Sequence, residues 1–529
     1  MRQLILLLAA AAALSAAETY RVAGVIVDSQ TGSPMANAAL TLSPMDRPHE
    51  GILATSGTDG SFAFDAALGK YNLMAVIAGI SQPFGQVDRF IGMGTSIITG
   101  PDQDTAHLVF RWHRLAAITG RVLDDQGEPV ENAQVRFFCS AVFAGRKRIA
   151  PTAGGSTNDQ GYYRAWAVMA GAYYAFVTAK PWWNWQRVGA EGSQAASIYP
   201  TVYYPGTTDI TRAALLTVQP GEEARVDFTL TATTAAKLTV NCDNCEPDAP
   251  SPARSRSLME LRVTAQGLSG TETETAVAQR NAYRWPVTLD MVPPGHYLVR
   301  LSGTDNENAL TAERWIDVGA GDITVSLSLH QAAAVSGRLT IKANVAPPAR
   351  PLTVRLIPEL NGEMSSAAIE ADGSFRLLRV HPGKYRVAVS GGGYYAETVS
   401  SGDAALTGGL LNIEDGAESR LNIVANHESG RVKGYATRDD QPVANMLVVL
   451  VPRDPASGYV NQPFQTDSDG SFDLGPLGVG DYLLFAVDDP TIAWADPETV
   501  KPYLAQAKQI HIELGKVLEE RVPVQPAGK

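Results

Sequence analysis

The sequence predicts an all-β protein, a tandem array of about five Greek-key β-sandwiches. Three observations carry this. One pattern of turns and strands recurs five times over the 529 residues, at about 100 residues per copy. Within each copy, segments such as Tyr385-Arg386-Val387-Ala388-Val389 alternate apolar and polar, the period of a half-buried strand. Helix signals are nearly absent. The exception is Asp496-Pro497-Glu498, an N-cap followed by Pro at the first helical position, and Pro502 limits that helix to a turn or two.

Four of the five copies open with a strand containing a Gly: Gly24, Gly120, Gly337 and Gly434. A Gly or Pro turn follows, then an Asn lead-in to a second strand at Asn37, Asn132 and Asn445. An acidic turn then leads to an aromatic residue, as in Asp59-Gly60-Ser61-Phe62, Asp159-Gln160-Gly161-Tyr162, Asp372-Gly373-Ser374-Phe375 and Asp469-Gly470-Ser471-Phe472. Gly supplies the positive φ that such turns require. The opening Gly precedes the turn Gly by 36 residues in three copies (Gly24 to Gly60, Gly337 to Gly373, Gly434 to Gly470) and by 41 in the second (Gly120 to Gly161). About ten residues on comes Gly-x-Tyr, ending at Tyr71, Tyr173, Tyr297, Tyr385 and Tyr482. It has the form of a tyrosine corner, in which the hydroxyl bonds back to nearby backbone. A closing pair of strands ends each of the last four copies, around Gly221, Gly321, Gly416 and Gly515. The third copy lacks the Asp-Gly turn.

The expected boundaries are 18–112, 113–233, 234–331, 332–427 and 428–529, with each sandwich touching mainly its neighbours in the chain. Residues 1–17 read as a secretory signal peptide: Arg2, an apolar stretch from Leu4 to Leu14, then Ser15-Ala16-Ala17. The expected location is therefore secreted, periplasmic or at the cell surface. No later apolar run is long enough to span a membrane.

The combined pattern of Gly24–Val27, Thr58–Phe62 and Lys70–Leu73, with its copies, resembles carboxypeptidase regulatory-like domains. These are transthyretin-like, Ig-like sandwiches related in shape to collagen-adhesin B-type repeats and starch-binding folds. The stretch Tyr199 to Thr208 is similar to a segment found in exported multi-repeat proteins of soil bacteria, acidobacteria above all. The resemblance covers nearly the whole chain. It implies a fold, and it implies no activity, because such modules are named for the peptidase they sit beside.

The chemistry-bearing residues are few. A net charge of −12 argues against nucleic-acid binding. None of the eight His residues heads a His-x-x-Glu or His-Glu-x-x-His zinc motif, and there is no Gly-x-Ser-x-Gly elbow or phosphate loop. The reading is non-enzymatic, with no metal and no cofactor. Cys242 and Cys245 follow a strand rather than opening a helix, which favours a small loop disulfide over a redox site. Cys139, on a strand, reads as a buried thiol. Thr466 to Asp473 looks like a calcium loop but has Gly478 where an EF-hand needs Glu. Lys433, Asn412 and Asn422 do not complete the trio needed for an isopeptide crosslink.

The aromatic insertion of the second copy is the binding candidate. Trp182, Trp183 and Trp185 fall within four residues, and Tyr199, Tyr203 and Tyr204 follow. Flat aromatic faces suit the C–H faces of sugar rings, or anchor a protein partner. The competing reading packs these rings onto their own domain. The functional expectation is a non-catalytic exported protein that binds carbohydrate or a surface polymer through aromatic loops. The alternatives are a structural or adhesive spacer with a protein partner, and an accessory chain of a peptidase.

Overall fold

The computed structural model describes residues 18–526 apart from 87–93, 144, 181–196, 246–258, 268–271, 283, 306–307, 343–347, 349, 360–363, 403, 407–408, 428, 454–462 and 490. The expected signal peptide and the three insertion tryptophans therefore lie outside the described residues. Strands dominate what is described, with one α-helix, Pro497–Leu504, capped by Asp496 through its side chain to the Glu498 N–H.

The first copy shows the plan. Strand Thr19–Asp28 pairs antiparallel with Ser61–Ala67 on one side and parallel with Leu108–Trp112 on the other. The facing sheet is built on Ala39–Pro44 and Gly69–Ile77. Inward residues of both sheets, among them Val22, Ile26, Leu40, Leu73 and Phe110, form the core. The second, third and fourth copies repeat the arrangement, each with its own apolar core. In each, opening and closing strands pair in parallel: Ala116–Asp124 with Phe228–Leu230, Ala236–Cys242 with Ile323–Leu327, and Ala334–Ile341 with Glu418–Asn426.

That parallel contact explains the opening glycines. A Cβ at Gly24 would overlap the carbonyl oxygen of Leu108, one at Gly120 that of Val226, one at Gly337 that of Leu421 and one at Gly434 that of Glu520. Only hydrogen fits where the closing strand's backbone passes so near.

Three further devices repeat. All five corner tyrosines donate their hydroxyl to the carbonyl four residues earlier: Tyr71 to Ala67 (3.1 Å), Tyr173 to Met169 (2.6 Å), Tyr297 to Pro293 (2.8 Å), Tyr385 to His381 (2.9 Å) and Tyr482 to Gly478 (2.9 Å). The lead-in asparagines have φ of 58° at Asn37, 59° at Asn132 and 63° at Asn445. Asn tolerates this left-handed region better than most residues. Beside each, a hydroxyl clips the lead-in shut. Ser56 accepts from the Ala38 N–H and donates to Met35 O. Thr157 does the same for Ala133 and Val130, and Thr466 for Met446 and Val443. Positive φ also recurs six residues before the corner tyrosine, at Ala167, Met291 and Arg379.

The described residues form two compact units. One contains the first sandwich through His113 together with Ala436–Met446 and Gln465–Ser471; the other contains the remainder. Segments of the fifth copy thus cluster with the first, a contact between copies distant in the chain that the sequence pattern does not show. Within that unit Lys70 Nζ lies 2.5 Å from Asp467 Oδ2, and the Asp467 side chain is 5% exposed. Ser468 Oγ accepts from the Ile98 N–H at 3.0 Å, and Gln465 Nε2 donates to Gly85 O at 2.6 Å. Burial pushes the Asp467 carboxyl up, against the lowering influence of Lys70. In the other unit, the hairpin of the second sandwich reaches the fourth: Arg146 pairs with Glu359 at 2.9 Å and Arg148 Nη2 donates to Pro358 O at 2.7 Å.

Two outcomes test these assignments. Tyr482→Phe leaves the buried Gly478 carbonyl without its donor and is expected to cost about 1–3 kcal/mol in urea unfolding. Lys70→Ala strands a buried carboxylate and is expected to cost roughly 3–5 kcal/mol near pH 7. The sign of its pH dependence follows from the raised carboxyl. The folded state binds the proton more tightly than the unfolded chain, so the deficit grows as pH rises above the ordinary carboxylate range and shrinks on acidification. A pH series of unfolding midpoints that shows no such trend contradicts the assignment.

Candidate functional site

The most exposed aromatic pair among the described residues lies on the second sandwich, on strand Tyr162–Val168. The turn before it is set by Asn158, whose Oδ1 accepts from the Gln160 and Tyr162 N–H groups. Strand alternation then sends Tyr163 and Ala165 into the core and Tyr162, Arg164 and Trp166 outward. Tyr162 is 48% and Trp166 69% exposed. The inward Tyr163 anchors the strand by donating to Val226 O at 2.7 Å, and burial raises its phenol far above the ordinary value, so it stays a donor.

The strand is the edge of its sheet, paired only to Ala116–Asp124 there, with Tyr162 opposite Arg121 and Arg164 opposite Thr119. The register shifts between Ala165 and Val168, a bulge with Ala167 at φ 59°. Bulges of this kind re-aim side chains at sheet edges, and this one contains Trp166 itself. The Arg121 guanidinium carbon sits 5.1 Å from the Tyr162 ring centroid, and its Nε donates to Gln160 O at 3.0 Å. Arg164 lies 3.6 Å from Glu223. The result is an open face with two aromatic residues roughly 13 Å apart along the strand, Arg164 between them and Arg121 over the first. Such a face stacks on apolar ring faces and hydrogen-bonds to hydroxyls at their rims.

The insertion residues divide. Trp182, Trp183 and Trp185 lie outside the described residues. Tyr199 is 3% exposed in the second sandwich's core, and Tyr203, opposite Phe176 on the other face of its sheet, is 6% exposed. The Tyr203 ring packs 5.8 Å from Phe176, and its N–H donates to Thr207 O at 2.7 Å. Tyr204 is half-buried against the same core, its N–H bonded to Ala175 O. Desolvation pushes the phenols of Tyr199 and Tyr203 up to about 12. These rings fasten the insertion to its own domain. Tyr394, at the corresponding place in the fourth copy, is likewise a core residue.

Cys242 and Cys245 are bonded to each other, with Cα atoms 5.3 Å apart. Asn244 between them bonds both to Leu329 O (2.7 Å) and from the Leu329 N–H (2.8 Å), so the loop closes the third sandwich. Cys139 is half-buried rather than fully so, packed on the second core. No group of His, Cys, Asp or Glu among the described residues is placed to hold a metal ion. No helix among them is long and apolar enough to cross a membrane. Lys433 pairs with Asp473 at 3.4 Å, while Asn412 and Asn422 lie on exposed positions of the fourth sandwich.

The outward pair Tyr162 and Trp166 was absent from the sequence expectation. The available signal was two aromatics four apart in an alternating segment, a spacing that places both on one strand face.

No family model matches the chain, and no curated protein matches it. Solved structures overlap parts of it. The Bacillus anthracis TIE protein is 11% identical, covering 77% of this chain and 74% of its own, with a TM-score of 0.17. The Streptococcus agalactiae minor pilin GBS52 is 13% identical over 44% of this chain and 99% of its own, with a TM-score of 0.22. Two B repeat units of the Staphylococcus aureus collagen-binding protein are 11% identical over 78% of this chain and 100% of their own, with a TM-score of 0.13. Scores this low do not establish a shared arrangement, and the β-sandwich assignment rests on the strand pairing of this chain.

The division between outward and core aromatics is measurable. Trp166→Ala is expected to change unfolding free energy by no more than about 0.5 kcal/mol. Tyr199→Ala, which empties core volume, is expected to cost about 3–5 kcal/mol. Equal losses in thermal or urea melts would contradict the placement.

Proposed function

We propose that this chain is a non-catalytic, exported binding protein whose β-sandwiches present aromatic faces to a carbohydrate or surface polymer. The observation that carries the reading is the outward placement of Trp166 and Tyr162 on one sheet edge, with Arg121 and Arg164 beside them. Large aromatics left in water on a well-formed sheet lose the burial that normally accounts for them, and a partner surface restores it. The ring spacing along an extended strand suits an extended ligand rather than a compact one. The tryptophans at 182, 183 and 185 fall in the same copy of the sequence and extend the reading, while Tyr199, Tyr203 and Tyr204 serve it only as supports.

A pull-down with insoluble polysaccharides tests this. Wild-type protein is expected to be retained on at least one polymer, with Trp166→Ala and the triple Trp182→Ala, Trp183→Ala, Trp185→Ala variant each eluting at least several-fold earlier. Retention unchanged in both variants would remove these aromatics from the site. Absence of retention on any glycan would favour a protein partner.

A further inference from the structure

The turn end of the fifth copy is covered where its counterparts are open. The hydroxyl clips align the copies, so Gln465-Thr466-Asp467 corresponds to Thr55-Ser56-Gly57 in the first and to Ser156-Thr157-Asn158 in the second. Around the clip of the first copy Asn37, Thr55 and Gly57 are exposed, and around that of the second Asn132, Ser156 and Asn158 are exposed. In the fifth copy Gln465 and Asp467 are buried. The first sandwich supplies the cover.

The bonds that join the two are specific. Lys70, the middle residue of the first Gly-x-Tyr, reaches Asp467. The Ser468 N–H donates to Ser96 O at 2.9 Å, and Ser468 Oγ accepts from the Ile98 N–H at 3.0 Å. Gln465 Nε2 donates to Gly85 O at 2.6 Å and to Thr95 Oγ1 at 2.8 Å, and Thr95 Oγ1 donates to Asn445 Oδ1. The buried carboxylate of the calcium-loop-like segment is thus matched by an ammonium group of this chain.

These bonds come from hydroxyls, amides and one charge pair. Gln465 Oε1 is buried and has no hydrogen-bond partner among the described residues. A polar contact with an acceptor left over retains little surplus free energy, and polar contacts within a chain permit relative motion. Each side is also held without the other. Thr466 keeps its bonds to Met446 and Val443 in its own copy, and the first sandwich keeps its own apolar core. The contact is therefore able to part while both sides stay folded.

We infer that the turn end of the fifth copy and the first sandwich form a releasable clasp, closed within one chain through Lys70, Ser96, Gln465, Asp467 and Ser468. Its opening frees a turn end of the kind that the first and second copies already present to water. The inference goes beyond the binding reading and does not depend on the identity of a ligand.

Amide hydrogen exchange of the full mature chain, read by mass spectrometry, tests it. The reporters are Ile98 and Ser468, whose N–H groups bond across the clasp, and Ile26, whose N–H bonds to Gly60 O inside the first sandwich. In wild type both clasp amides are expected to exchange at least about tenfold faster than Ile26 and at least about tenfold slower than an unprotected amide. Asp467→Asn and Gln465→Ala are each expected to speed both clasp amides at least about fivefold and to leave Ile26 unchanged. Should Asp467→Asn fail to fold, Gln465→Ala, which removes no charge, decides the comparison. Light scattering is expected to give the mass of a single chain throughout. Clasp amides as slow as Ile26 would make the contact permanent, and clasp amides as fast as an unprotected one would make it absent. Either result overturns the inference, as does a folded variant that leaves the clasp amides unchanged, or a dimer mass, which would place the contact between chains.

Discussion

The close approach of each closing strand to its opening strand governs the rest of the structure. At Gly24, Gly120, Gly337 and Gly434 the neighbouring carbonyl occupies the space a Cβ would take. This parallel contact joins the two ends of a copy about 85 to 105 residues apart, between Gly24 and Leu108 or Gly120 and Val226. It fixes which residues of the opening strand face inward, because a slip of one residue would turn every side chain to the other face. The corner tyrosine and the hydroxyl clip then hold the two places where the chain leaves the sheet plane. Each satisfies backbone groups that burial would otherwise leave unpaired.

The candidate binding surfaces depend on this frame. The outward position of Trp166 follows from the inward position of Tyr163, which is tied to Val226 on the closing strand. Arg262 and Arg300 stand opposite each other on the outward face of the third sandwich because Leu261, Val263, Val299 and Leu301 are committed to its core. Binding chemistry is thus carried on faces whose orientation the core has already decided. Such preorganisation lowers the ordering cost of an interaction. Burial of Tyr199 in the second core and of Tyr203 against Phe176 holds the end of the insertion to its own sandwich.

Much of the fold was legible from the sequence because its signals are local. Asp-Gly turns, Gly-x-Tyr corners and the alternation of Tyr385 to Val389 each act within a few residues, and the structure contains each of them. The Asn lead-ins were visible as a pattern, though their reason, a positive φ, was not. The hydroxyl clip went unseen because its members are separated by about twenty residues and by ordinary Ser and Thr, as in Ser56 and Ala38. For the candidate site, the three tryptophans the sequence pointed to lie outside the described residues, and of the tyrosines Tyr199 is part of the core. Aromatic clustering along the chain does not distinguish burial from exposure, whereas the sheet face does.

The sequence by itself determined the all-β class, the repeated unit, the corner tyrosines, the short helix and the pairing of Cys242 with Cys245, since each depends on neighbours in the chain. Tertiary structure alone decided three things. It buried Tyr199 and Tyr203 while exposing Trp166, it set Arg262 beside Arg300, and it joined Lys70 to Asp467 across 397 residues. The physical reason is the same in each case. Which groups meet across sheets, and which remain in water, depends on contacts between distant segments, and no periodicity within one segment encodes them.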